Sequence, residues 1–225
     1  MQGARISYRA DGGNASGYLA RPQAGENGKG VIVLQEWWGL VPHIERVTDR
    51  LAKEGYVALA PDLWDGKRAT APAEAERLYL ALDLAATAAK LRGAVMALRE
   101  QGGVRGGLGI VGFCMGGQLA LHAAATMPDD IAACVDFYGV HPRVKCDFAR
   151  LRAPILGIFG EKDRSVNAEA VKKLRTAVEA AGGAIEVHTY PAGHAFFNDD
   201  RPEVFDAACA ADAWRRTVAF FGKHL

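Results

Sequence analysis

The run Leu108 to Phe113 is apolar, and it leads through Gly112-Phe113-Cys114-Met115-Gly116-Gly117 into a stretch with helical character from about Gln118. A strand, a sharp glycine-flanked turn and a helix in that order constrain the fold more than any other segment. The turn reads Gly-x-Cys-x-Gly, the nucleophile-elbow pattern with a thiol where a hydroxyl is usual. An elbow residue takes unfavourable dihedrals, so its neighbours must be small enough not to collide with it. Such a corner holds Cys114 outward at the end of the strand, which points to covalent catalysis by cysteine.

The rest of the chain supplies the layers that an elbow needs. Ala4 to Arg9 and Ser16 to Arg21, joined through Asp11-Gly12-Gly13-Asn14, read as an opening hairpin. Gly30 to Gln35 is apolar on both faces, as a central parallel strand is when helices cover both sides of its sheet. Further strands are expected at Tyr56 to Ala60, Leu108 to Phe113, Ile131 to Tyr138, Pro154 to Gly160 and Ala184 to Tyr190. Apolar spacing near 3.6 predicts helices over 43–54, 73–101, 117–127, 167–181 and 202–222, with Gly93 a candidate break in the second. The expectation is one α/β domain spanning 1–225, with a mostly parallel central sheet of about eight strands and helices on both faces. Its 225 residues suffice to bury a sizeable core.

A thiol with an ordinary pKa of about 8.5 needs a base to act near neutrality. Of six histidines, His194 lies just after the last expected strand, in Tyr190-Pro191-Ala192-Gly193-His194, where Gly193 allows a tight turn. His141, which also follows a strand, is its one competitor. Asp163 stands in the polar loop Glu161 to Val166 beyond the strand ending at Gly160, where a carboxylate would accept the imidazole Nδ1 proton and fix the tautomer. Nucleophile, acid and histidine then follow in the chain order of α/β-hydrolases.

These motifs, with Gln35-Glu36-Trp37-Trp38-Gly39 after the first central strand and Pro61-Asp62-Leu63-Trp64 after the next, resemble those of the dienelactone hydrolase (carboxymethylenebutenolidase) family nearly end to end. The resemblance implies the α/β-hydrolase fold and a Cys114-Asp163-His194 triad. It gives Glu36 the role of contacting the resting thiol until substrate displaces it. It also implies an oxyanion hole from the backbone N–H groups of Trp37 and Met115, the second of which follows from elbow geometry as well. Where the family holds a substrate carboxylate with arginines, this chain has Asn198 and, by ungapped alignment, Pro72, with Arg68 and Arg77 nearby; Ala195 stands where a serine is common. Trp37, Trp38, Trp64, Tyr79, Phe196 and Phe197 then offer a larger aromatic pocket, together with Asn198, for a bulkier or less charged ester, lactone or thioester.

Several other classes are disfavoured. Lys plus Arg (27) nearly balance Asp plus Glu (26), which gives no field for nucleic acid or an anionic membrane. No apolar run approaches the ~20 residues of a membrane span, and Met1-Gln2-Gly3-Ala4-Arg5 lacks a signal-peptide core. Cys134, Cys146 and Cys209 form no C-x-x-C pair with one another or with Cys114, no metal signature occurs, and the Gly102-Gly103 and Gly106-Gly107 pairs are turn-makers rather than a nucleotide loop. The expectation is therefore a cytoplasmic, monomeric enzyme that needs no cofactor or metal and hydrolyses a small-molecule ester or lactone through an acyl-enzyme on Cys114. The alternatives are a thioesterase or acyltransferase with the same triad, and a non-catalytic ligand-binding relative.

Overall fold

Gly12 adopts φ 89°, which lets the chain reverse in two residues. The opening hairpin forms around it: β1 (Ala4–Ala10) and β2 (Gly13–Ala20) pair antiparallel with Ala10 opposite Gly13. This tight reversal starts β2 before the expected Ser16. The computed structural model describes residues 2–23, 28–101, 103–141 and 143–225. Met1, Gly102 of the expected Gly102-Gly103 turn, and Pro142 lie outside the described residues, as do residues 24–27.

The chain forms two compact units, Met1–Leu108 and Gly109–Leu225. In the first, the strand order is β1-β2-β4-β3, with β3 at Gly30–Leu34 and β4 at Val57–Pro61. β2 meets β4 antiparallel, and β3 meets β4 in parallel. Every residue of β3 and β4 is buried. Since successive side chains point to opposite faces, both faces of these strands are covered. Helix α1 (Pro42–Lys53) and helix α3 (Leu84–Glu100) pack against them.

The long helix expected over 73–101 is two helices, and the break is not at Gly93. It falls after α2 (Pro72–Leu80), where Asp83 accepts hydrogen bonds from the N–H groups of Ala85 (2.8 Å) and Ala86 (3.1 Å) and starts α3. An N-cap aspartate satisfies donors that have no partner within the helix, so it begins a new helix more readily than a glycine ends one.

The second unit runs β5 (Leu108–Phe113), α4 (Met115–Thr126), β6 (Ile131–Phe137), β7 (Ile155–Gly160), α5 (Ala168–Ala180), β8 (Ile185–Tyr190) and α6 (Ala207–His224). Its strand order is β5-β6-β7-β8, and β6, β7 and β8 pair in parallel. β5 and β7 are wholly buried, whereas β8 shows one buried residue, Tyr190. Helix α6 starts five residues later than expected because Asp206 caps it, accepting from the Cys209 N–H at 3.0 Å. The eight expected strands, mostly parallel in their pairing, and the helices between them are thus present. Among the described residues no helix is long and apolar enough to cross a membrane.

Candidate active site

Cys114 occupies φ 54°, ψ −116° at the junction of β5 and α4, with its thiol half-buried. A non-glycine residue held there is strained, and strain of this kind persists only where its surroundings fix it. The Cys114 N–H donates to Phe137 O at 2.9 Å, while its carbonyl accepts from Gly117 N–H at 3.0 Å. A Cβ on Gly112 would lie 2.0 Å from Gly116 O, so only glycine lets the strand and helix backbones approach this closely. Met115 is the first residue of α4, and its N–H has no partner within the helix.

The loops after β7 and β8 are laced together by their backbones. Glu161 N–H donates to Tyr190 O at 2.8 Å, and Lys162 N–H to Ala192 O at 2.9 Å. This lacing brings Asp163 and His194 together: Oδ2 of the aspartate accepts from imidazole Nδ1 at 2.6 Å. The other carboxylate oxygen accepts from the N–H groups of Ser165 (2.7 Å) and Val166 (2.9 Å). With Nδ1 committed to Asp163, the hydrogen bond between His194 and the Cys114 thiol falls to Nε2. The Tyr138 ring flanks the imidazole at a centroid distance of 5.1 Å. Burial is the largest single influence on His194 and disfavours its charge. The hydrogen bonds to Asp163 and Cys114, with the charges of both, outweigh it and push the imidazole pKa up to about 10.

The competing His141 is engaged elsewhere: its Nδ1 accepts from the Arg143 N–H at 3.2 Å, and its backbone N–H donates to Gln118 Oε1 at 2.6 Å. His188 pairs with Glu186 and lies 3.3 Å from an Arg216 nitrogen. The thiols differ too. All four are free; Cys134 is fully buried, and burial pushes Cys146 up to about 12. Among the described residues no group of three or more His, Cys, Asp or Glu side chains is arranged to hold a metal ion.

In the first unit, Glu36 is buried just beyond β3, and the half-buried Trp37 and Trp38 meet edge to face at 5.4 Å. The loop after β4 is tied to this segment: Trp64 Nε1 donates to Trp37 O at 3.1 Å, Ala69 N–H to Trp38 O at 3.0 Å, and Leu63 N–H to Gln35 Oε1 at 3.2 Å. Arg68 is paired with Glu45 at 3.3 Å. Tyr79 is buried on α2, and Pro72 is the first residue of that helix.

Of the aromatic residues assigned to a pocket, Phe197 stacks between Phe113 (5.4 Å) and Trp214 (6.2 Å) and meets Phe137 at 4.9 Å. Phe196 packs on Tyr138 (5.7 Å) and Tyr190 (5.3 Å). Both are essentially inaccessible, so they support the site from behind rather than line an open surface. Asn198 is buried as well, and its Oδ1 closes a turn by accepting from the Asp200 N–H at 3.0 Å.

Sequence reading passed over Asp136 on β6, a wholly inaccessible carboxyl near His194. The signal was a lone acid inside the apolar run Ile131 to Tyr138.

A strained strand-to-helix corner at Cys114 after β5, an acid after β7 and a histidine after β8 follow the chain order of the α/β-hydrolase class. The family model described as "Dienelactone hydrolase family" matches residues 15–225. The chain is 37% identical to "Protein usf" of Aquifex pyrophilus over 231 residues, covering 99% of each. It is 35% identical to the Escherichia coli (strain K12) protein named "Putative carboxymethylenebutenolidase", covering 97% of this chain and 86% of that one. The crystal structure of a "Putative Dienelactone Hydrolase" from Klebsiella pneumoniae superposes with a TM-score of 0.85 at 34% identity, covering 97% of this chain and 99% of the other. The chain therefore belongs to the dienelactone hydrolase family and is a hydrolase of that kind.

Proposed function

We propose that this hydrolase cleaves a carboxylic ester or lactone through an acyl-enzyme on Cys114. The observation that carries the reading is the 2.6 Å bond from His194 to Asp163, with the elbow thiol bonded to the same imidazole. Cys114 Sγ, as thiolate, attacks the carbonyl carbon. The N–H groups of Trp37 and Met115 stabilise the resulting oxyanion; losing one such donor typically costs about 3 kcal/mol. Collapse breaks the bond to the leaving oxygen, which takes a proton from the His194 imidazolium.

The raised His194 pKa suits both halves of this cycle. Much of the rise comes from the Cys114 hydrogen bond and charge. Acylation removes both, so the imidazole becomes easier to deprotonate when a base is next required. It then accepts a proton from water as the hydroxyl oxygen attacks the thioester, and Sγ departs as thiolate. In this scheme Glu36 restrains the resting thiol until substrate displaces it.

The favoured substrate is neutral and bulky, set among Trp37, Trp38, Trp64 and Tyr79. Supporting this, Arg68 is engaged by Glu45, the Asn198 carbonyl closes a turn, and Pro72 offers no charge. The enzyme acts as a cytoplasmic monomer without a cofactor. A panel of charged and neutral lactones and esters tests the substrate assignment; a kcat/KM more than tenfold higher for the carboxylated lactone contradicts it. Loss of turnover in Cys114→Ala tests the nucleophile.

A further inference from the structure

Asp136 takes no part in the steps above, yet it lies behind the groups that do. Its carboxyl is wholly inaccessible, and neither oxygen has a hydrogen-bond partner among the described residues. It is wedged between two backbones. A Cβ built on Gly117 would lie 2.1 Å from Asp136 Oδ1, and one built on Gly139 would lie 2.4 Å from it. Gly117 belongs to the first turn of α4 and donates its N–H to Cys114 O at 3.0 Å. Gly139 follows Tyr138, whose strained φ of 44° turns the chain so that Gly139 meets Gly117, and whose ring flanks His194. The wedge therefore touches the elbow on one side and the support of the imidazole on the other.

The titratable groups around it come from three elements. His194 reaches it from the loop after β8, Cys134 from its own strand, and Cys146 from the loop after β6; α4 contributes the neutral Gln118, bonded to the Cys146 sulfur at 3.1 Å. The facing residue in register on β7 is Gly157, which carries no charge. An isolated carboxylate in such surroundings is expensive, and a buried acid without donors keeps its proton instead. Burial, only partly offset by the nearby Gly139 N–H and by His194, pushes Asp136 up to about 8.

We propose that Asp136 is a positioning residue that must stay protonated for the Cys114–His194 pair to work. As a neutral acid it fills the wedge without a field. On losing its proton to solvent it becomes an anion that opposes negative charge on Sγ and on the oxyanion, and it holds His194 as imidazolium when a base is required. The ionisation follows from the carboxyl's inaccessible, donor-poor setting; its effect on rate rests on the function proposed above.

Two readouts test this, one of them independent of turnover. Followed by NMR, the His194 ring resonances of the wild type should show a step as pH rises from 7 to 9, and Asp136→Asn should lack it. The wild-type kcat/KM for p-nitrophenyl acetate should fall at least fivefold over that interval, against less than twofold in Asp136→Asn. Asp136→Leu, which fills the wedge with no titrating group, should follow the asparagine variant. Absence of the wild-type step, or the same rate profile in wild type and both variants, overturns the proposal. If no ester is turned over, the reaction assignment fails, while the NMR step still decides whether the Asp136 charge reaches the imidazole.

Discussion

Two buried aspartates separated by one strand meet opposite fates. Asp163, in the loop after β7, receives three N–H donors, from Ser165, Val166 and His194. Asp136, inside β6, receives none at bonding geometry on either oxygen. The loop can curl its own N–H groups around a carboxylate, whereas the interior of a strand has already given its N–H groups to neighbouring strands. Burial alone therefore does not say what an acid does; the donors around it do. Asp163 bonds the imidazole of His194, and in the proposed scheme Asp136 serves the same imidazole only without charge.

The largest effect that would break this contrast is in Asp163→Asn. Losing the orienting carboxylate should lower kcat by about 10³- to 10⁴-fold, as removal of a triad acid does, measured with p-nitrophenyl acetate. A rate within twofold of wild type means that Asp163 does not orient the imidazole. Gly117→Ala comes next. Its new methyl meets Asp136 Oδ1, and overpacking of this kind costs about 1–3 kcal/mol, visible as a lower urea midpoint; an unchanged midpoint shows the wedge to be loose.

Stability against pH sharpens the same point. Asp136, raised from 3.8 to about 8, and His194, raised from 6.5 to about 10, both bind a proton more tightly folded than unfolded. The Asp136 contribution is complete below 3.8 and lost as pH rises through 8. That of His194 is complete below 6.5 and lost as pH rises through 10. Urea midpoints should accordingly fall from pH 6 to 9 in the wild type, and fall less in Asp136→Asn. The smallest effect concerns the loop around Asp163. Asn167→Ala removes the cap that accepts from Ala170 N–H at 3.0 Å and should cost about 1 kcal/mol, with kcat unchanged because Asp163 keeps its own donors.

Much of this was legible in the residues. β5 runs from Leu108 to Phe113 as the apolar run implies, and Asp163 meets His194 as their places after successive strands imply. Those signals are local: a buried strand, then a loop. The break between α2 and α3 was missed because Asp83 outranks Gly93 only through a side-chain cap, which apolar spacing does not register. Phe196 and Phe197 read as pocket residues because they lie in the loop just after His194, where the arginine of the carboxylate clamp is missing. Here that loop folds inward, with Ala195 at φ 60°, and packs both rings on β5, β6 and β8. Asp136 was hidden because its significance depends on Gly117 and Gly139, which converge on it only in three dimensions.

The most direct test of the account is to quench the protein within the first turnovers of p-nitrophenyl acetate and map the acetyl group by peptide mass spectrometry. One acetyl group is expected, on Cys114, accumulating in His194→Ala and never appearing on Cys134. An acetyl group elsewhere, or undiminished turnover by Cys114→Ala, would contradict it.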